Sequence, residues 1–361
     1  MIDQRGERMK TYGDNKRNAN RRSRRERQFA PSGFTLIELL TVIAIIGMLG
    51  AISVSTVRAA IESARTTQTR TTIAKIDSVL TSIYEKYQYR RVDVTEYNLA
   101  PNASATEKAW ARLQVMRDLL RCDMPRCESE VRTKSLYNGS GTGGLTPLQE
   151  SYLFAINSAS NKGDEDLNPE LLYLVLTNAA PECRATFSDR ELADTDGDGL
   201  LEFVDGWGRP IRWLRWAPCV VKSDRQPTLR YDSENGSIEL PSFGGGEPYS
   251  VVDANYFDEI YGDESNADPF DPLSVLAWRK QNGVEGADMR PGWFLVPYVY
   301  SAGPDGGYGI FDDAFDETEV AAMNDPFTCL ENGADYWLGV PVEIDGVNTY
   351  KDNVDNHTLI R

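Results

Sequence analysis

An α+β fold is predicted for this chain of 361 residues: a long N-terminal helix, first apolar and then amphipathic, packed on an antiparallel β-sheet, with a helical insertion between the two. Three observations predict it. Leu39–Val57 is a run of 19 residues without a charge, and it leads into apolar residues spaced three to four apart as far as Tyr87. Three shorter segments with helical spacing follow, over Ala105–Leu120, Pro147–Ile156 and Pro169–Leu176. After Asp205 the pattern turns to alternation and hairpin signals. With 41% apolar residues the chain buries a real core, which excludes whole-chain disorder.

The first element is a basic leader, residues 1–33, carrying ten Lys/Arg against four Asp/Glu (net +6) and ending in Pro31-Ser32-Gly33. Residues 34–57 form the apolar segment, long enough to cross a bilayer core of about 30 Å. The basic side then stays cytoplasmic. An ordinary signal sequence has an apolar region of only about 7–15 residues and is cut after it, whereas the candidate cut at Gly33 precedes this one. Glu38 inside the segment is costly unless something pairs with it. The helix is expected to run over 34–90, about 80 Å at 1.5 Å per residue, because no proline or glycine occurs between residues 51 and 100. Its second half presents Ile61, Ala64, Ile73, Ile76, Val79, Leu80, Ile83 and Tyr87 as a stripe to the chain's own domain.

Gly33-Phe34-Thr35-Leu36-Ile37-Glu38 after a basic leader resembles the type IV prepilin signal, shared by pilins and type II secretion pseudopilins. The resemblance implies cleavage after Gly33 by a membrane peptidase and N-methylation of the new terminus, Phe34. It further implies that Glu38 neutralises the terminal amine of a neighbouring subunit during assembly, which supplies the partner that a buried carboxylate needs. Two departures stand out: the leader is longer than most, and Ser55 stands where pilins often carry proline, so a kink expected there is absent.

Residues 91–193 read as the helical insertion, with Pro147 and Pro169 in favourable first-turn positions. Gly139-Ser140-Gly141-Thr142-Gly143-Gly144 matches a dinucleotide fingerprint in letters only; no strand precedes it, so it reads as a loop. Residues 194–361 form the β-rich C-terminal domain. Ile211–Trp216 alternates, Leu229–Tyr231 and Ser237–Leu240 flank the turn pair Asn235-Gly236, and Trp293–Tyr300 is an aromatic, β-branched run.

Two loops in this domain carry ion chemistry. Asp194, Asp196, Asp198 and Asp205 stand at positions 1, 3, 5 and 12 of a calcium-type loop, with Gly199 at 6 and the Leu200 carbonyl at 7. The plain alternative is a solvated acidic turn, which also uses Asp and Gly. The second loop, Ser301–Asp313, together with Asp205-Gly206-Trp207-Gly208-Arg209-Pro210, resembles the C-terminal signature of the major type II pseudopilin, except that Gly206 replaces a proline. That resemblance implies a structural calcium held by Asp305, Asp312 and Asp313 with nearby carbonyls. Calcium is the cofactor expected at both loops, stapling them rather than catalysing.

Charge and composition exclude other classes. The 328 residues after the leader hold 28 basic and 51 acidic side chains (net −23), which repels a phosphate backbone and argues against nucleic acid as a partner. His357 is the sole histidine, which removes most histidine-centred catalysis. Five cysteines without a CxxC pair argue against thiolate zinc, and Cys122 and Cys127 are the nearest candidates for a disulfide. No enzyme is expected. The resemblance implies a pilin-like subunit that prepilin peptidase processes. It is anchored once in a bacterial inner membrane with its body periplasmic, then assembled through the inner-membrane platform with other pilin-like subunits into a type II secretion pseudopilus. A type IV pilus or minor pilin, or a membrane-anchored calcium-dependent binding protein, are the alternatives. The major-type signature and the bulk of the insertions, which is more like the largest minor pseudopilin, leave the subfamily open.

Overall fold

The computed structural model describes residues 33–94, 99–135, 144–159, 166–217, 229–232, 237–239, 268, 270–271, 297–312 and 339–357. Most of the basic leader, the Gly139–Gly143 string, the Asn235-Gly236 turn, Trp293–Phe294, Cys219, Cys329 and Asp313 lie outside them. The chain divides into two compact units, one ending at Thr56 and one beginning at Val57. Helix α1, Leu36–Gln88, runs through the boundary without a break.

In the first unit every apolar side chain of α1 is exposed. An 18-residue window of this helix reaches a mean hydropathy of 2.3, and it is the one helix among the described residues long and apolar enough to cross a membrane.

The second unit is built on the other half of α1. Thr69, Thr72, Ile73, Ile76, Leu80, Ile83, Tyr84 and Tyr87 are buried there, at the three-to-four spacing that keeps one face of a helix inward. Against them pack α2 (Ala105–Asp123), α3 (Glu128–Arg132), α4 (Pro147–Ser158) and α5 (Asn168–Ala179), followed by a 3₁₀ turn over Pro181–Thr186. Local chemistry starts two of these. Ser104 and Glu107 form a reciprocal capping box on α2, and Thr146 and Gln149 another on α4, where Pro147 fills the first turn.

Among the described residues the expected single antiparallel sheet is instead three small ones. Strands β1 (Leu192–Ala193) and β2 (Glu202–Phe203) make a two-stranded pair. Strands β3 (Arg212–Leu214), β6 (Tyr298–Ser301) and β9 (Val354–Asp355) form an antiparallel sheet in the order β3-β6-β9. Strands β4 (Leu229–Asp232), β5 (Ser237–Glu239), β7 (Val342–Ile344) and β8 (Val347–Asn348) form a mixed sheet, β5-β4-β7-β8, in which β4 and β7 run parallel. Sequence alternation cannot distinguish these arrangements, because a strand of two to four residues holds only one or two inward positions. One hydrophobic core nevertheless joins Leu113, Met116 and Leu172 of the insertion to Phe203, Trp213 and Val299 of the β-rich part.

Buried polar side chains do what such short ladders cannot. The Arg215 guanidinium, fully buried just after β3, makes a two-pronged ion pair with Glu130 of α3 at 2.7 and 2.8 Å, the fork geometry that carboxylates match best. Burial works to raise the Glu130 carboxyl, yet Arg215 and then Arg126 hold it below the ordinary carboxylate range. Asn168 bridges the Arg126 and Trp213 carbonyls and accepts from the Trp213 N–H. Asn356 accepts from the Val299 N–H and donates to Asp77 of α1. The thiols of Cys122, Cys127 and Cys183 are all free, so the nearest pair is not bridged; burial pushes the Cys122 and Cys183 thiols up.

Glu130→Ala should lower the unfolding free energy by about 3–5 kcal/mol, because it strands the Arg215 charge in the core. Arg215→Met in the same background should recover part of that in a urea titration. The Glu130 carboxyl is depressed in the fold, so its stabilisation is complete above the unfolded value of about 4.3 and is lost as pH falls through the folded value. Glu130→Gln should therefore flatten the acid limb of the stability profile.

Candidate functional site

Three places hold the residues singled out from the sequence. At the N-terminal end, Gly33 and Phe34 precede the helix and are exposed. Thr35 and Glu38 close a reciprocal cap: the Glu38 N–H donates to Thr35 Oγ1 at 3.2 Å, and the Thr35 N–H and hydroxyl both donate to Glu38 Oε2 at 2.8 Å. The Thr-x-x-Glu spacing is a helix-start signal. The Glu38 carboxylate thus has donors within its own helix start.

The second place joins the Asp205–Pro210 string to the string that begins at Ser301. Asp205 is buried, and both its oxygens are engaged: Oδ1 accepts from the backbone N–H of Trp207 at 2.8 Å and Arg209 at 3.0 Å, and Oδ2 accepts from the Ser301 hydroxyl at 2.7 Å. Arg209 reaches across to the Gly303 carbonyl at 2.6 Å, and the Tyr308 hydroxyl donates to the Pro210 carbonyl at 2.6 Å. The departure at Gly206 has a physical reason. A Cβ there would lie 2.4 Å from the Arg65 carbonyl oxygen of α1, and the Gly206 N–H donates to Thr69 Oγ1 at 2.9 Å. Proline would overlap the helix and lose the donor. Trp207 adds a bond from its indole N–H to Glu62 at 2.9 Å.

The ligands expected in the second loop are differently placed. Asp312 forms an ion pair with Arg212 at 2.9 Å and accepts from the Tyr300 hydroxyl at 2.7 Å, so a guanidinium already holds the carboxylate that was expected on a cation. Asp305 is exposed; its Oδ1 accepts from the Gly307 N–H, and its own N–H donates to Asp352. Gly303, at φ +63°, sits where a Cβ would meet the Asp352 carbonyl at 2.4 Å, so this approach of backbone to backbone needs glycine.

The third place is the acidic loop between β1 and β2. One oxygen each of Asp194, Asp196 and Asp198 lies within 4.8 Å of the others. The loop closes on its own amides: Asp194 accepts from the Gly197 and Gly199 N–H, Asp196 from Asp198, and Asp198 from the buried Leu200. Asp205, expected to complete this set, belongs to the Ser301 junction instead. Two carboxylates that the sequence reading missed meet the loop at Asp196. Glu170 from the first turn of α5 and Glu202 of β2 are 5% and 0% exposed, and with Asp196 they form a second group whose ligand oxygens lie within 4.8 Å. Glu202 Oε1 accepts from the Thr195 N–H at 2.7 Å, while Glu202 Oε2 and Glu170 Oε2 are buried without a hydrogen-bond partner. Two unit charges 4.8 Å apart repel by about 3.5 kcal/mol at an effective dielectric near 20. Burial, with Glu202, Asp196 and Asp198 close by, pushes the Glu170 carboxyl up to about 8; burial likewise raises Glu202 and Asp198. The signals were readable in part. Glu202 is position 9 of the loop, a ligand position in calcium loops, and Glu170 is a charge in the buried Leu171-Leu172 stretch.

Residues 30–54 match the prokaryotic N-terminal methylation motif, the type IV pilin-like signal. No curated protein and no solved structure matches the chain. The motif suggests a pilin-like protein that prepilin peptidase processes and that assembles with other pilin subunits. The apolar helix that follows it is consistent with a single-pass membrane anchor.

Gly206→Ala should destabilise the fold by about 1–3 kcal/mol, because the new Cβ overlaps the α1 backbone. Gly206→Pro should cost more, having also removed the donor to Thr69. Thermal unfolding of the two variants beside Thr69→Val separates the steric from the hydrogen-bonding part.

Proposed function

We propose that this chain is a subunit of a type II secretion pseudopilus, a periplasmic filament that helps export folded proteins. The observation that carries it is the methylation motif over residues 30–54 running directly into an apolar helix whose side chains find no cover among the described residues. Apolar surface on that scale needs lipid or neighbouring helices, and a filament core offers the second after the membrane has offered the first. Cleavage after Gly33 frees the Phe34 amine, which is methylated. Glu38, held ready by Thr35, turns to the amine of an adjacent subunit, and an inner-membrane platform drives extraction. Work is done by assembly, so no catalytic group is required. The Asp205–Pro210 and Ser301–Asp313 strings favour a secretion pseudopilus over a type IV pilus.

Calcium is the cofactor in this proposal, bound at the acidic loop between β1 and β2, where two groups of carboxylates share Asp196. Hard oxygen donors without sulfur or imidazole suit it. Its effect is structural: it neutralises carboxylates that otherwise repel.

Intact-mass analysis of the protein from its native membrane should give a chain that begins at N-methylated Phe34. A terminus that retains Gly33 would reject filament processing. Glu38→Ala should leave processing intact but abolish filament formation in a cross-linking assay, whereas a plain anchor would be indifferent to that change.

A further inference from the structure

Glu170 and Glu202 are used by nothing described so far. Both side chains are more than nine-tenths buried, each leaves one carboxylate oxygen without a hydrogen-bond donor, and those groups come together with Asp196. A buried oxygen of this kind is costly to leave unmet, and two such carboxylates in one cluster, both negative when ionised, oppose the fold unless a cation joins them. The three residues come from different elements. Glu170 is in the first turn of α5, Asp196 is in the loop, and Glu202 begins β2. Loop amides engage both oxygens of Asp194 and one oxygen each of Asp196, Asp198 and Glu202, so the oxygens left buried and unmet are those of Glu170 and Glu202.

We infer that the cation taken by the acidic loop is held by Glu170, Asp196 and Glu202, so that it binds α5 of the helical insertion to the β1–β2 pair rather than closing the loop upon itself. The inference rests on the calcium reading of that loop and not on the filament. The donors are all carboxylate oxygens from side chains of unequal length, an irregular set that suits calcium, which accepts about six to eight oxygens in flexible geometry, better than magnesium, which demands a regular octahedron. Carbonyls and water complete the shell.

The test is calorimetric titration of calcium chloride into the full chain in detergent micelles, with thermal unfolding followed in chelator and in calcium. Wild type should bind calcium and unfold at a higher temperature with it. Glu170→Gln and Glu202→Gln should each lose at least about tenfold in affinity and lose the calcium-induced rise, while unfolding in chelator no lower than wild type, since neither removes volume. Asp194→Asn should change the affinity by less than about threefold. Loss of binding in Asp194→Asn with binding kept in Glu170→Gln would overturn the inference and leave a self-contained calcium loop. Absence of binding by the wild type would overturn the calcium reading itself. A Glu170→Gln chain that is destabilised in chelator yet still gains stability from calcium would also overturn the inference, making Glu170 a packing residue.

Discussion

The carboxylate of Asp205 is the joint on which the second unit depends. One oxygen organises the turn that follows it, by accepting from Trp207 and Arg209, and the other fastens Ser301 at the end of β6. That turn then lies against α1 through Gly206 and Trp207. One buried side chain therefore fixes three parts of the chain that are about a hundred residues apart or more. A carboxylate with three donors is well satisfied without a counter-charge, and the donors that Asp205 meets lie at the Ser301 junction and the turn after it.

The need for such joints follows from the strands. None of the described strands exceeds four residues, and ladders that short contribute little register or rigidity. The core is largely helical, and the connections between its helices and the small sheets are polar: Glu130 with Arg215, Asn168 with Trp213, Asn356 with Val299 and Asp77, and Lys75 with Glu191 at 2.9 Å. Glu191 accepts from Thr72 and Ser188 as well. Burial alone would raise its carboxyl, but the Ser188 amide and Lys75 hold it below the ordinary range. Buried pairs of this kind add less net stability than apolar contacts of equal size. What they add is direction, since each is satisfied in one arrangement of the elements only.

The sequence made the helices legible and the sheets only partly so. The α1 pattern, the capping signals before Ala105 and Pro147, and the prolines at Pro147 and Pro169 are local, and the helices begin where those signals stand. The short helix Glu128–Arg132 was not foreseen, because its position is fixed by Arg215, 85 residues further along the chain. The parallel pairing of β4 with β7 likewise depends on partners more than a hundred residues apart. At the candidate site, the spacing of Asp194, Asp196 and Asp198 was readable because a loop is contiguous. Glu170 was not, because the helix carrying it reaches the loop only in three dimensions. The ion pair of Asp312 with Arg212 was equally hidden, because Arg212 lies a hundred residues earlier.

Acidic side chains in this molecule thus divide by what neutralises them. Glu130, Glu191 and Asp312 meet a guanidinium or an ammonium, Asp205 meets amides and a hydroxyl, and Glu38 meets its own helix start. Glu170 and Glu202 alone among these are buried with an oxygen facing no donor. In a body that carries a net charge of −23 beyond residue 33, lysines and arginines are too few to neutralise every acid, and the core already claims several. A divalent cation supplies two positive charges in the space of one water molecule and needs no side chain to carry it. Under the calcium proposal that charge would lie between α5 and β2 and fasten the insertion to the small described sheets.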